Sequence, residues 1–81
     1  MKLPRDLSGR ELAAGLKRAF GYRRLHQEGS HIVLEADLPR RHRIAVPDHR
    51  ALRVGTLNGI LRAVAEVQGV SKEDALRRIL A

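Results

Sequence analysis

The segment Glu28-Gly29-Ser30-His31 carries the side chain best suited to chemistry. Gly-Ser is typical of a two-residue type II′ hairpin loop, so His31 should open a strand immediately after the turn. An imidazole ordinarily titrates at about pH 6.5, so it can take a proton from a ribose 2′-hydroxyl or give one to a leaving 5′-oxygen. Glu28, opposite His31, is a possible orienting group, although such a pair also fits an ordinary strand end.

Other kinds of site have less support. His26, Glu28 and His31 form the one cluster that the predicted strand pairing brings together for a metal, and a metal site needs several converging ligands. The chain has no cysteine and neither of the glycine-rich patterns that cradle nucleotide phosphates. Its serines occupy cap or turn positions, which argues against a Ser-His-Asp triad. We therefore expect no metal and no small-molecule cofactor.

The charge of the chain favours a polyanionic partner. Sixteen Lys and Arg against nine Asp and Glu give a net charge of +7, and 81 residues are enough for one small domain. Only 2% of residues are aromatic, which argues against a platform for stacking single-stranded bases. A basic surface that only keeps the protein soluble remains the alternative. The predicted phosphate contacts are Lys17, Arg24, Arg43, Arg50 and Arg53.

A second cationic feature precedes the predicted second helix. His49, Arg50 and Arg53 come just before Thr56, which is a plausible N-cap residue. The free amides and positive dipole of a helix N-terminus favour a phosphate, so these four residues could clamp an RNA backbone. A solvated loop with a satisfied cap fits the same residues.

The elements that must position these side chains can be derived from spacing. Ser8 and Glu11 form a capping box, which predicts a first helix over residues 9–20 that ends at Gly21. A Gly29-Ser30 loop pairs Glu28 with His31 and Leu25 with Leu34. Strand three is predicted at Arg41–Val46, after a loop over Asp37–Arg41.

This register sorts the strand residues onto two faces. The predicted core face carries Leu25, Ile32, Leu34, Ile44 and Val46. The open face carries Arg24, His26, Glu28, His31, Val33, Glu35, Arg43 and Ala45. Val33 and Ala45 are a small apolar patch that a partner protein could cover.

The remaining apolar residues lie at helical spacing. A second helix should begin after an N-cap at Thr56 and run to about Gln68, and a short third helix should open at Ser71. The predicted fold is an α+β two-layer domain over residues 1–81, with the helices on one face of a three-stranded antiparallel sheet. With no export signal and no membrane-length apolar segment in the sequence, we expect a soluble, cytoplasmic protein.

A series of short motifs resembles the HicA (YcfA-like) toxins of bacterial toxin-antitoxin modules. The resemblance covers roughly residues 8–71, and its most specific part is Gly-Ser-His, then Val-Pro-x-His, then Gly-Thr-Leu-x-x-Ile-Leu. The matching positions are Gly9, Leu16, Gly21-Tyr22, Gly29-Ser30-His31, Val46-Pro47, His49, Gly55-Thr56-Leu57 and Ile60-Leu61.

The resemblance implies a double-stranded-RNA-binding-like fold, α-β-β-β-α with a short C-terminal helix. It also implies an mRNA interferase whose Gly-Ser-His histidine, here His31, is needed for toxicity, and a HicB-like antitoxin that neutralises it. We predict Glu28 and Ser30 as supporting residues for His31. The chain departs from the family pattern in two places. Asp37-Leu38-Pro39-Arg40 replaces a tight Pro-Asp-Gly type turn, and the second helix runs about one turn longer, to Gly69.

Two other functions fit the sequence. The chain could be a non-catalytic module that recognises A-form RNA by its shape, or a protein whose open face binds a partner and whose nuclease activity is lost. If it is a nuclease, the second proton-transfer group is unassigned. His26 and His49 are candidates, and an arginine could instead stabilise the phosphorane.

Overall fold

The computed structural model describes residues 3–81, and its architecture confirms the predicted α+β fold. Three antiparallel strands form a sheet in the order β1-β2-β3, and the helices pack on one face of it. None of the helices described in residues 3–81 is long and apolar enough to cross a membrane. The elements are α1 Gly9–Phe20, β1 Arg23–Glu28, β2 His31–Ala36, β3 His42–Pro47, α2 Val54–Gln68 and α3 Lys72–Leu80.

Helix α1 has the bounds that its sequence predicts. The Ser8 hydroxyl accepts from the Glu11 amide at 3.0 Å, and the Glu11 carboxylate accepts from the Ser8 amide at 2.9 Å. The hydrogen bond from the Ser8 amide is the main cause that lowers the pKa of Glu11, because it stabilises the charged carboxylate, and the Ser8 side chain adds to it. Gly21 ends the helix with φ 74°, a left-handed conformation that costs glycine little.

The first hairpin confirms the predicted turn but not the whole predicted register. Gly29 has φ 57°, and His31 lies opposite Glu28 as expected. Leu25 is a β-bulge, however, so Leu34 pairs with Arg24. The placement of Leu25 on the core face and of Arg24 on the open face was therefore wrong.

The bulge places Tyr22 in the core in place of Leu25. Tyr22 is 1% exposed and Leu25 is 36% exposed, so the larger side chain is the buried one. The Tyr22 hydroxyl lies 2.6 Å from Nε2 of His42, whose Nδ1 donates to the Arg40 carbonyl at 2.7 Å. Burial raises the pKa of Tyr22, which keeps its hydroxyl protonated as the donor to His42.

We expect Tyr22→Phe to lower the free energy of unfolding by about 1 kcal/mol, because Nε2 of half-buried His42 loses its partner. Urea denaturation measures the loss. The double variant Tyr22→Phe/His42→Leu should recover part of it, since removing both polar partners costs less than removing one. A Tyr22→Phe protein as stable as the wild type would show that the hydrogen bond contributes nothing.

The second hairpin follows the predicted pairing. Ile32 lies opposite Val46 and Leu34 opposite Ile44, and the loop runs from residue 37 to residue 41. The Gln68 side-chain amide at the end of α2 donates to the Leu38 carbonyl at 3.2 Å. The end of α2 therefore contacts the loop between β2 and β3.

Helix α2 begins earlier than expected. Its N-cap is Arg53, which makes no side-chain capping bond, and Thr56 lies inside the first turn. The prediction that Thr56 caps the helix was wrong, because the backbone becomes helical at Val54 without a capping side chain. Ser71 does cap α3, where its side chain accepts from the Asp74 amide at 3.0 Å.

The core lies between the sheet and the three helices. Its buried members are mostly aliphatic, as the composition requires, and Leu7 and Leu52 join it from the segments outside the helices and strands. The buried core residues are Leu7, Leu12, Leu16, Tyr22, Ile32, Leu34, Ala36, Val46, Leu52, Leu57, Leu61, Val64, Leu76 and Ile79.

Candidate functional site

His31 is an exposed side chain at the start of the central strand. It lies between Glu28 of β1 and Pro47 of β3, and it shares the helix-free face of the sheet with Val33 and Glu35. Paired strands on both sides hold its backbone. A bulky substrate can therefore approach a histidine whose position is set by the sheet.

Three side chains brace the turn that carries His31, and we call Arg10, Gln27 and Asp48 the turn clamp. Nε of Arg10 lies 3.1 Å from Oδ1 of Asp48, and the Gln27 amide donates to Oδ2 of Asp48 at 3.2 Å. The Asp48 backbone N–H donates to the Ser30 carbonyl at 2.6 Å. The clamp thus ties helix α1 and the end of β3 to the β1–β2 turn.

The turn clamp was missed by sequence reasoning, because its members are 38 residues apart at the widest separation. The hydrogen bond from the Arg10 guanidinium has the largest effect on the pKa of Asp48 and lowers it. Burial opposes this effect, and the Gln27 hydrogen bond lowers the pKa further. Asp48 therefore stays ionised as the acceptor that joins the two other side chains.

Glu28 contacts a different histidine from the one predicted. Nε2 of His26 lies 3.2 Å from Oε1 of Glu28, and both side chains are well exposed. Among residues 3–81, no hydrogen bond joins Glu28 to His31. Glu28 and His31 are still opposite each other in register, with Ser30 in the turn between them.

At the other end of the open face, Glu35 is held between two arginines. Arg23 pairs with one of its carboxylate oxygens, and Nε of Arg43 donates to the other at 2.9 Å. The Glu35 side chain is only 7% exposed. The bulge brings Arg23 across from Glu35, so Arg23 takes the place on this face that the sequence assigned to Arg24.

We expect Glu35→Gln to destabilise the protein most at neutral pH. The hydrogen bond from Arg43 is the largest cause that lowers the pKa of Glu35, and Arg23 adds to it. A lowered native pKa means that the carboxylate stabilises the fold above its unfolded pKa and loses that effect as the pH falls through the native value. The difference in melting temperature between wild type and Glu35→Gln should therefore shrink in acid.

Thermal melts at about pH 7 and about pH 3 measure that difference. The matched control is Glu66→Gln, which removes an exposed carboxylate that has no ion pair among residues 3–81. It should change stability little at either pH. A Glu35→Gln deficit that stays constant across this range would contradict the assignment.

The predicted phosphate-binding residues fall into two groups. His49, Arg50 and Arg53 are exposed in the segment that follows Pro47, the cross-strand partner of His31, and Thr56 is exposed in the first turn of α2. The sheet therefore brings the start of this segment beside His31. Arg43 lies on the same face but is engaged by Glu35.

Lys17 and Arg24 lie elsewhere. Arg24 shares the helix-covered side of the sheet with Leu34, and it lines a cleft together with Lys17 of α1. Neither is on the face that carries His31. Within residues 3–81, no group of three or more His, Asp or Glu side chains is arranged to hold a metal ion.

No curated protein and no solved structure matches the chain significantly. The family model described as HicA toxin of bacterial toxin-antitoxin matches residues 9–65, which is more than two thirds of the chain. The match begins at the first residue of α1, includes the whole sheet and ends within α2. The chain therefore belongs to the HicA toxin family of bacterial toxin-antitoxin systems.

Proposed function

We propose that this toxin is an mRNA interferase, an endoribonuclease that cleaves cytoplasmic transcripts with His31 as its general acid or base. The observation that supports this function is the exposure of His31 on the face that the helices leave open. Membership in a toxin family supplies the biological context, and a HicB-like antitoxin would neutralise the activity.

The proposed reaction is a transesterification that needs no metal ion. His31 takes the proton of a ribose 2′-hydroxyl, and the 2′-oxygen attacks the adjacent phosphorus. The bond from phosphorus to the 5′-oxygen breaks, and that oxygen receives a proton from a second group or from water. The products are a 2′,3′-cyclic phosphate and a 5′-hydroxyl.

The neighbouring residues have distinct proposed roles. His49, Arg50 and Arg53, with Thr56, bind RNA phosphates near the reacting group, because their segment starts where β3 ends beside His31. His49 is also a candidate for the second proton-transfer group. The turn clamp positions His31 through the turn, and Ser30 takes part in it by its carbonyl.

Glu28 acts on His31 only if its carboxylate leaves His26. The 3.2 Å contact between His26 and Glu28 lies on the exposed surface, where an ion pair contributes little and exchanges readily. Glu28 therefore remains a proposed supporting group, and His26 a second candidate for the companion acid.

Product analysis tests the reaction. Purified protein is incubated with an mRNA transcript in EDTA, and the fragment ends are identified. We expect 2′,3′-cyclic phosphate and 5′-hydroxyl ends, and no cleavage of a 2′-O-methyl transcript, which lacks the attacking hydroxyl. RNA that is bound but left intact would favour the non-catalytic RNA-binding module instead.

A further inference from the structure

A cleft of about 370 Å³ opens between helix α1 and strand β1, on the side of the sheet away from His31. We call it the α1–β1 cleft. Helix α1 packs on β2 and β3, whereas all six residues of β1 are exposed. The volume of the cleft is at the low end of the range of about 300–1,000 Å³ found for ligand pockets, so the cleft admits a few side chains. The lining residues are Arg10, Ala13, Ala14, Lys17, Tyr22, Arg24, Gln27, Ile32 and Leu34.

The cleft combines an apolar floor with a cationic rim. The almost fully buried Ile32 and Leu34 and the half-buried Ala13 contribute to the floor, and the exposed Lys17 of α1 and Arg24 of β1 line the same cleft. Neither Lys17 nor Arg24 forms an ion pair with any residue in the described part of the chain. No carboxylate lines the cleft. The rim therefore presents uncompensated positive charge beside apolar surface.

This combination fits a protein segment better than RNA. A nucleic-acid backbone offers phosphates to Lys17 and Arg24 but nothing apolar to cover the floor. An RNA strand at His31 would also have to wrap around the edge strand β1 to reach the other side of the sheet. A peptide with carboxylates on either side of one or two aliphatic residues satisfies both parts of the cleft.

We infer that the α1–β1 cleft is the docking site for an acidic, partly apolar segment of the antitoxin. The inference depends on membership in a toxin-antitoxin family and not on the nuclease chemistry. Aliphatic side chains of that segment cover Ala13 and the exposed part of the floor. Its carboxylates pair with Lys17 and Arg24. This anchor is separate from the face that carries His31.

Calorimetric titration with the purified cognate antitoxin tests the site. The double variant Lys17→Glu/Arg24→Glu should bind the antitoxin at least about tenfold more weakly, because each reversal replaces an attraction with a repulsion. Both side chains are exposed, so the fold should be retained. Ala14→Trp, at an exposed position of α1, tests the cleft without a change of charge and should also weaken binding by filling it.

The matched control is Arg40→Glu/Arg62→Glu, which changes the net charge equally at exposed positions outside the cleft. It should bind the antitoxin as tightly as the wild type. A second titration uses a 2′-O-methyl RNA duplex, which the proposed reaction cannot cut. Ala14→Trp changes no charge and no predicted phosphate contact, so it should bind this duplex as the wild type does.

Three results would overturn the inference. The cleft variants could bind the antitoxin as tightly as the wild type, the control could weaken binding equally, or Ala14→Trp could lose affinity for the RNA duplex and keep it for the antitoxin. None of these measurements uses RNA cleavage. A failure of the proposed nuclease function would therefore leave this test intact.

Discussion

His31→Ala should lower the rate constant of mRNA cleavage by about 10²- to 10⁴-fold, the range that a positioned general acid or base contributes. The reason is that alanine cannot accept the 2′-hydroxyl proton, and nothing else at that position of the sheet replaces the imidazole. Single-turnover cleavage of a labelled transcript, with EDTA present, measures the rate constant. When the two proteins are induced in a bacterium, His31→Ala should leave growth and transcript integrity unchanged, whereas the wild type should impair both.

The design of this experiment separates chemistry from folding. His31 is exposed, so His31→Ala should have the circular dichroism spectrum and melting temperature of the wild type. Because both proteins are purified identically, the variant also reports any contaminating ribonuclease. Equal cleavage by the two proteins would exclude His31 as the catalytic group.

The companion proton-transfer group can be identified with the same assay. His26→Ala and His49→Ala are compared with His31→Ala over a series of pH values. Replacing the histidine that protonates the leaving 5′-oxygen should remove one limb of the pH–rate profile. If both variants keep the wild-type profile, an arginine or water performs that step.

Gly9→Ala should destabilise the protein by about 3 kcal/mol, a large part of the roughly 4–12 kcal/mol expected for a chain of this length. A Cβ atom added at Gly9 would lie 1.8 Å from the Pro47 carbonyl oxygen, which is backbone and cannot rotate away. Relief requires the first turn of α1 to move away from the end of β3. That movement would break the 2.9 Å hydrogen bond from the Gly9 amide to the His49 carbonyl.

The matched control is Gly59→Ala in helix α2. A Cβ atom there meets nothing within 4 Å, and alanine is preferred to glycine in a helix by about 0.8–1.0 kcal/mol. Gly59→Ala should therefore stabilise the protein while Gly9→Ala destabilises it, as measured by urea denaturation. Gly9→Ala with wild-type stability would mean that the close approach of α1 to Pro47 is not needed.

Gly9→Ala should also reduce RNA cleavage, because the turn clamp lies at the same contact between α1 and the end of β3. Arg10 follows Gly9 directly and pairs with Asp48, whose amide donates to the turn before His31. A movement of α1 at Gly9 thus reaches the site. Assays below the melting temperature of the variant distinguish this effect from global unfolding.

Local patterns in the sequence were sufficient to predict most of the elements. The capping box at Ser8 defined the start of α1, and the Gly29-Ser30 turn defined where His31 enters β2. Both depend on bonds between residues at most a few positions apart, which spacing reveals directly. The two-residue turn also predicted the strand register, and the register predicted which face of the sheet carries His31.

Competition between distant residues decided what the sequence alone could not. Burying Tyr22 and pairing Arg23 with Glu35 requires a bulge at Leu25, which moves Arg24 to the far side of the sheet. The alternation of residues along β1 predicts that Leu25 is buried. It does not reveal the hydrogen bond from the Tyr22 hydroxyl to His42, which lies 20 positions away. The turn clamp and the α1–β1 cleft likewise exist only once α1 is packed on the sheet. Side chains that meet across the fold compete for buried space and for charged partners, and only the tertiary structure determines which of them prevail.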